Sequence, residues 1–489
     1  MIIRDLIKDI IPQKIVGEMD KDIKKIVYDS RQVEKDSLFI CIEGFKFDGH
    51  NYISKAIENG ASAILVEKDI EIIEGVTFIK VKDTREAMAY LAAAFYEYPL
   101  KKIDLLGVTG TNGKTTITYL IKNMMDNIGR TTGLVGTIKN IIGDKALPAT
   151  RTTPESLDLY DLYDKMLAED ISQVVMEVSS HALDLKRVSG MEFQTAVFTN
   201  ITQDHLDYHQ SFEEYLEAKC RLFEQLKPDG YAVINLDDPN SEKIIKASRG
   251  RVLTYAINKE ADLRAENINL TSQGVSFEVR GLLKVPLDMK LTGLFNVYNT
   301  LAAVGCAYTG GLSEKEIKKG LEGVQGVDGR FEIVKMGQDF SVIVDYAHTP
   351  DGMENVLKTA LELVEGRLIT LFGCGGDRDK GKRPEMGKIA AKYSDLIVLT
   401  SDNPRSEEPL AIIGDIELGI KGSKTPYKIL PDRREAIFSA VKKAEKGDML
   451  IILGKGHETY QIFKDKTISF DDRETAREAI ESILGDENK

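Results

Sequence analysis

Residues 103–127 read IDLLGVTGTNGKTTITYLIKNMMDN: an apolar run closing at Thr109, a glycine-bracketed loop, then a helical pattern. Strand, loop and helix in that order make a phosphate cradle. Glycines let successive backbone N–H groups turn inward, and the helix N-terminus favours an anion. The loop is Gly110, Thr111, Asn112, Gly113, Lys114, Thr115 and Thr116. Lys114 supplies a point charge for the β- and γ-phosphates, and Thr115 a hydroxyl for Mg²⁺. The strict motif has a glycine five residues before Gly113; position 108 is valine, so this loop is a variant. No guanine-reading NKxD segment follows, and ATP is the expected nucleotide.

Outward from this loop, short β-rich runs alternate with helical patterns, the mark of an α/β protein with mostly parallel sheets. Three domains are expected. Residues 1–98 form a smaller α/β domain, with strand-like SLFICIEG (37–44), AILVEK (63–68) and VTFIKV (76–81), and YPLKK at 98–102 reads as a linker. Residues 99–330 form the central domain on the phosphate loop. Its runs QVVMEVSS (173–180), TAVFTNI (195–201) and YAVINLDD (231–238) are near-continuously apolar, as in a sheet covered on both faces. VSFEVR and VPLDMKLTG read as a later antiparallel pair. Residues 331–489 form a Rossmann-like domain with strands FSVIVDYA, RLITLFG, DLIVLTSD and DMLIILGKG, joined on at the glycine-rich GVQGVDGRFE. Open parallel sheets bind ligands at the carboxyl ends of their strands, where the polar loops of this chain fall.

The 489 residues are 42% hydrophobic and 29% charged, which argues against a disordered chain. No apolar run of about 18 residues appears, so no membrane insertion is expected. The first residues lack the apolar stretch and cleavage site of a secretory signal, and the last carry no lipidation box. A net charge of −13 disfavours nucleic acid and anionic membranes as partners. Cys41, Cys220, Cys306 and Cys374 form no CxxC pair, which points away from a disulfide framework or structural zinc and towards a reducing cytoplasm.

Four further stretches carry chemistry. Glu177 ends QVVMEVSSH, where an acid can reach a magnesium ion held at the first strand's loop. TNITQDHLDYH (199–209) offers Asp204, His205, Asp207 and His209; the two histidines, four apart, would share a helix face, but no HExxH spacing for zinc occurs. Lys219 in EEYLEAKCRLF could react as a free amine, although by residue pattern alone it reads as a solvated helix lysine. In the last block, DYAHTPDG (345–352), GCGGDRDKGKRP (373–384), SDNPRSEEP (401–409) and LGKGHETY (453–460) each follow a strand. Arg378, Arg383 and Arg405 could fork a carboxylate, and Asp402, Asn403 and Glu458 could take an ammonium, a combination suited to a zwitterionic amino acid.

GTNGKTT, EVSSHAL, TNITQDHLDYH, YLEAK, LFNVYNTLAA, GRFE, DYAHTPDG, GGDRDKGKRP, DNPR and GKGHE occur in this order. The ordered set resembles the Mur ligases of peptidoglycan synthesis, over about residues 28–475, and most closely the members acting on UDP-N-acetylmuramoyl-L-alanyl-D-glutamate. The resemblance implies ATP-dependent amide synthesis through an acyl phosphate. It implies that Gly110 to Thr116 hold the ATP phosphates, that Thr115 and Glu177 hold a magnesium ion, and that His205 serves a second metal. It implies that Lys219 carries a CO₂ adduct, a carbamate that also serves as a metal ligand, which reverses the solvated reading. Asn296 and Asn299 are expected near the adenine, with Arg330, Asp345 and His348 reaching the nucleotide. Ser30, Thr152, Thr153, Ser179 and Arg187 are expected to hold the UDP-sugar peptide, with residues 1–98 taking its UDP moiety. Arg378, Asp402, Asn403, Pro404, Arg405, Gly454 and Glu458 are expected to hold meso-diaminopimelate, since Arg405 offers a cation to the carboxylate that L-lysine lacks. An L-lysine-adding enzyme and a folylpolyglutamate synthetase-like ligase are the alternatives; YDSR, DNPR and GKGHE argue against the second. A cytoplasmic monomer is expected.

Overall fold

The computed structural model describes residues 1–44, 47–202, 208–271 and 273–487. Three main sheets follow one another along the chain. The first has five strands, in the order Lys14–Val16, Thr77–Lys80, Ala61–Val66, Ser37–Ile40, Lys25–Val27. All its pairs are parallel except the one made by Lys14–Val16. The helix Thr84–Phe95 starts where Asp83 accepts from Glu86 N, a side-chain cap for an otherwise orphan N–H. YPLKK is one 3₁₀ turn, Pro99–Lys101, rather than an open linker.

The second sheet has eleven strands, and Asp104–Thr109 lies in its middle, parallel to Gln173–Glu177 on one side and Phe193–Phe198 on the other. Leu226–Asn235 and Arg251–Ala256 extend the parallel part. Both ends finish antiparallel: Gly274–Gly281 with Val285–Met289, as the sequence suggests, and the ribbon Gly133–Val135, Lys139–Ile142, Lys145–Pro148. The helix Lys114–Asn127 covers one face with Leu294–Thr309, and Phe212–Glu224 covers the other. Val108, Val175, Val197 and Val233 are all fully buried beneath them. The order puts a topological switch at the carboxyl end of Asp104–Thr109, where open α/β sheets bind ligands.

The third sheet runs Glu332–Val334, Ser341–Asp345, Met449–Leu453, Leu368–Phe372, Leu396–Leu399, Tyr427–Ile429, and is parallel except at Glu332–Val334. Its polar loops all leave carboxyl ends. Among the described residues no helix is long and apolar enough to cross a membrane.

Candidate functional site

The phosphate loop leaves its strand between two neighbours, with Glu177 paired to Val108 on one side and Phe198 to Thr109 on the other. Gly113 caps Lys114–Asn127 at φ 89°, and a Cβ there would lie 2.5 Å from Asn299 Oδ1. Only glycine lets the loop close on the helix Leu294–Thr309. Asn299 Nδ2 donates to Asn296 Oδ1 at 3.0 Å, and Asn296 Nδ2 to Thr292 O at 2.8 Å, so Asn296 orients the Asn299 amide that packs against Gly113. Asn112 N donates to Asn200 Oδ1 at 3.0 Å, and Thr199 Oγ1 to Asn112 O at 2.6 Å. Lys114 Nζ donates to the carbonyls of Gly110 and Thr111, both at 2.9 Å. Thr116 is buried in the first helical turn.

Glu177 is fully buried. Its Oε2 accepts from Thr115 Oγ1 and Thr137 Oγ1, both at 3.0 Å, and its Oε1 accepts from Thr137 N at 2.8 Å. A Cβ on Gly136 would stand 2.6 Å from that Oε1, so the glycine makes the room. From the domain junction Arg330 Nη2 donates to the same Thr115 hydroxyl at 2.9 Å. Octahedral Mg²⁺ holds oxygens at about 2.1 Å, which sets neighbouring ligands roughly 3.0 Å apart. Thr115 and Glu177 present neighbouring hydroxyl and carboxylate oxygens, the hard donors that Mg²⁺ takes, so the pair fits the ion.

Lys219 overturns the reading of a solvated helix lysine: it is 1% exposed. Its Nζ donates to Gly110 O at 2.8 Å and lies 4.4 Å from the centre of the Tyr215 ring. Tyr215 OH in turn lies 3.0 Å from Thr111 Oγ1. Asp204, His205 and Asp207 lie outside the described residues. His209 is buried against Tyr215, with ring centres 5.3 Å apart, and burial pushes its imidazole pKa down.

Of the residues expected to hold the UDP-sugar peptide, those of the central domain cluster around Glu177. Thr152 Oγ1 lies 3.0 Å from Thr137 Oγ1 and donates to it, since the Thr137 hydrogen is on Glu177. Thr153 Oγ1 donates to Glu177 O at 2.8 Å and accepts from Ser179 N at 3.1 Å. Arg187 Nη1 donates to Thr153 O at 3.0 Å, and its Nη2 pairs with Glu155 at 3.0 Å. Burial lowers the Arg187 pKa, and neighbouring Arg151 and Arg85 add to that against Glu155. Ser30 starts the short helix Ser30–Gln32; two residues earlier Tyr28 OH donates to Asp158 at 2.7 Å, which turns this segment to the central domain.

The third-sheet loops divide. Asp345 is buried and accepts from Phe331 N at 2.6 Å and Ala347 N at 2.7 Å, so it holds the Arg330 turn. Burial raises its pKa against the pull of Arg330. His348 is exposed and packs on Tyr346 at 4.6 Å, while the Arg330 guanidinium lies over the same Tyr346 ring at 4.7 Å. Sequence reasoning missed Asp351, whose Oδ2 accepts from Asn112 Nδ2 at 2.6 Å and Thr202 Oγ1 at 3.0 Å, tying the third domain to the phosphate loop.

Arg405 sits at φ 52°, a costly conformation for a side-chain-bearing residue, and its Nη1 donates to Gly376 O at 2.7 Å. It does not pair with Glu407, which is taken by buried Arg383 at 2.8 Å. Arg383, bound also to Asp415 at 2.9 Å, is structural rather than a ligand fork. GCGG is a packing device: a Cβ on Gly376 would lie 1.9 Å from Pro404 O, and one on Gly375 would lie 2.9 Å from Arg405 Nη1. Asn403 Nδ2 donates to Glu458 Oε2 at 2.9 Å, and fully buried Lys455, also missed in the sequence, donates to the same oxygen at 2.8 Å. Gly454 at φ 110° approaches Asp402, which a Cβ would meet at 2.7 Å from Oδ2. Arg378 is exposed on the neighbouring loop.

Comparison with known proteins gives three family matches: the Mur ligase family, catalytic domain, at residues 22–96; the Mur ligase middle domain at 108–307; and the Mur ligase, glutamate ligase domain at 329–456. A UDP-N-acetylmuramoyl-L-alanyl-D-glutamate--2,6-diaminopimelate ligase of Caldanaerobacter subterraneus subsp. tengcongensis is 49% identical over 477 residues, covering 97% of this chain and 98% of that protein. A like-named ligase 1 of Clostridium acetobutylicum is 47% identical, covering 99% and 100%. A solved structure of a ligase of that name is 32% identical, with a TM-score of 0.71 over 99% of both chains.

Proposed function

Because the chain belongs to the Mur ligase family, we propose that it joins meso-diaminopimelate to UDP-N-acetylmuramoyl-L-alanyl-D-glutamate in an ATP-dependent amide synthesis serving peptidoglycan. The observation that carries this reading is the end-to-end likeness, at 49% identity, to a ligase of that name. Chemically, a carboxylate lacks a leaving group. The acceptor's free carboxylate attacks the γ-phosphorus of ATP, ADP departs, and an acyl phosphate forms. The amine of the amino acid then attacks the carbonyl, loses a proton, and phosphate leaves as the amide forms.

The phosphate-loop N–H groups and Lys114 hold the transferred phosphoryl against the incoming carboxylate, two anions that repel each other. Thr115 and Glu177 are suited to magnesium, which when bound supplies the charge that offsets this repulsion. Arg330, already on the Thr115 hydroxyl, adds a guanidinium from the domain junction. Lys219 is proposed to take up CO₂: its neutral amine adds to the carbon and releases one proton. The carbamate keeps an N–H for Gly110 O and turns a cation into a metal-binding carboxylate. His205 is proposed as its companion at a second metal.

Thr152, Thr153, Ser179 and Arg187 are assigned to the acceptor peptide beside Glu177. Ser30 and the 1–98 domain are assigned to its UDP end, residues 99–330 to ATP, and residues 331–489 to the amino acid. Asn403, Arg405 and Glu458 form the amino-acid site, with Arg405 facing the distal carboxylate and Glu458 the distal ammonium. Four buried free cysteines are compatible with a cytoplasmic enzyme, and no second copy is invoked. Phosphate release tests the reading. With ATP and Mg²⁺ it should require both the UDP-dipeptide and diaminopimelate, and release unaffected by omitting either would refute amide synthesis.

A further inference from the structure

Two loops of the proposed amino-acid site, residues 401–405 and 453–458, leave strands that are not neighbours. Leu368–Phe372 lies between Leu396–Leu399 and Met449–Leu453, so no sheet hydrogen bond sets the distance between the two loops. Side chains bridge that gap: Lys455 Nζ donates to Asn403 Oδ1 at 3.3 Å, and behind them a single guanidinium reaches the backbone of both loops at their origins. Arg433, 1% exposed, begins the helix Arg433–Lys443. Its Nη1 donates to Ser401 O at 3.2 Å, and its Nη2 to Leu453 O at 2.8 Å. Ser401 directly precedes Asp402, Asn403, Pro404 and Arg405; Leu453 directly precedes Gly454 and Lys455. The guanidinium is aimed by Asp472, fully buried at the start of Asp472–Glu487, with Nε on Oδ1 and Nη2 on Oδ2, both at 2.7 Å.

A planar fork with a fixed angle between its donors, clamped bidentately on one side, holds two carbonyls at a set separation as no lysine can. Past the fork the loops meet side chain to side chain, through Asn403 with Glu458 at 2.9 Å. We propose that Arg433, oriented by Asp472, is a positioning residue for amino-acid selection: it fixes the spacing between the loop bearing Arg405 and the loop bearing Glu458. The inference rests on the reading of these loops as the amino-acid site. It gives a role to an ion pair buried in the interior, where a matched apolar pair is often as stable.

Arg433→Lys keeps the charge and loses the fork. With ATP and acceptor saturating, KM for diaminopimelate should rise on the order of tenfold to a hundredfold, as for a misplacement of about 1 Å. KM for ATP should hold, and preference for diaminopimelate over L-lysine should narrow. Asp472→Asn, which loosens the aim of the fork, should move KM in the same direction. A purely structural role would lower the melting temperature and leave the KM of the folded fraction unchanged, and that result overturns the proposal. Where either variant fails to fold, hydrogen exchange on the wild type decides. Amides of Asp402, Asn403 and Arg405 and of 454–458 should open in one cooperative event, and independent opening of one loop contradicts a shared clamp. Wild-type protein that releases no phosphate in response to diaminopimelate would instead defeat the reading of the site, leaving the exchange result to judge the clamp.

Discussion

Lys114 and Lys219 direct their ammonium groups at the same carbonyl, that of Gly110, at 2.9 and 2.8 Å. The two side chains thus converge on the backbone of the phosphate loop. Lys114→Ala should cut turnover on the order of 10²–10³-fold, the usual cost of removing a transition-state charge contact, in a protein whose circular dichroism is unchanged. Near-normal turnover would remove the phosphate-loop assignment. Lys219→Ala should be inactive and regain part of its activity with millimolar formate or acetate standing in for the carbamate; no rescue at any concentration would count against the adduct. The first lysine was legible because GTNGKTT states its chemistry outright. The second was legible too, but its charge misled: Tyr215, Leu216, Lys219, Leu222 and Phe223 share one helical stripe, and all are buried. Thr137, which holds both oxygens of Glu177, belongs to no motif and only the folded chain reveals it.

At the scale of elements, glycine-rich turns work in pairs with the loops they face. In the sequence GCGG is only a polar turn after a strand, until Pro404 O is seen against Gly376. Gly376→Ala should therefore raise KM for diaminopimelate and spare KM for ATP, as measured by initial-rate kinetics; equal effects on both would show general damage instead. The GKGHE loop carries a pH signature as well. Burial, reinforced by Arg330, pushes His457 from 6.5 down to about 3. Between those values the unfolded chain binds a proton that the folded one refuses, so stability is full above about pH 6.5 and falls as pH drops towards 3. The slope is at most about 1.4 kcal/mol per pH unit. Denaturant midpoints at pH 7.5 and 5.0 should show that loss in the wild type and a smaller one in His457→Gln; identical losses would contradict it. Strand runs were readable from apolar continuity, whereas the ribbon Gly133–Val135, Lys139–Ile142, Lys145–Pro148 was not, because its exposed last strand shows no apolar alternation.

Across the whole molecule, the sites of three sheets depend on a few contacts that cross between them. Arg330 reaches Thr115, Asp351 holds Asn112, and Tyr28 holds Asp158. None of these pairs is visible in sequence, since partners lie 130 to 239 residues apart; the motifs name the parts and the fold brings them together. Chemistry that needs ATP, acceptor and amino acid in one place is served by that arrangement, and in the proposed reading the identity of the amino acid rests on Arg405. A guanidinium facing a missing carboxylate costs about 3–5 kcal/mol when one partner of a buried pair is removed, or roughly 10²–10³-fold in selection. The decisive measurement is a competition in which equal meso-diaminopimelate and L-lysine are offered with UDP-dipeptide, ATP and Mg²⁺, and products are counted by mass. The wild type should yield the diaminopimelate product in at least about 10²-fold excess, and Arg405→Ala should lose most of that preference. Equal use of the two amino acids by the wild type, or an unchanged preference in Arg405→Ala, would contradict the account.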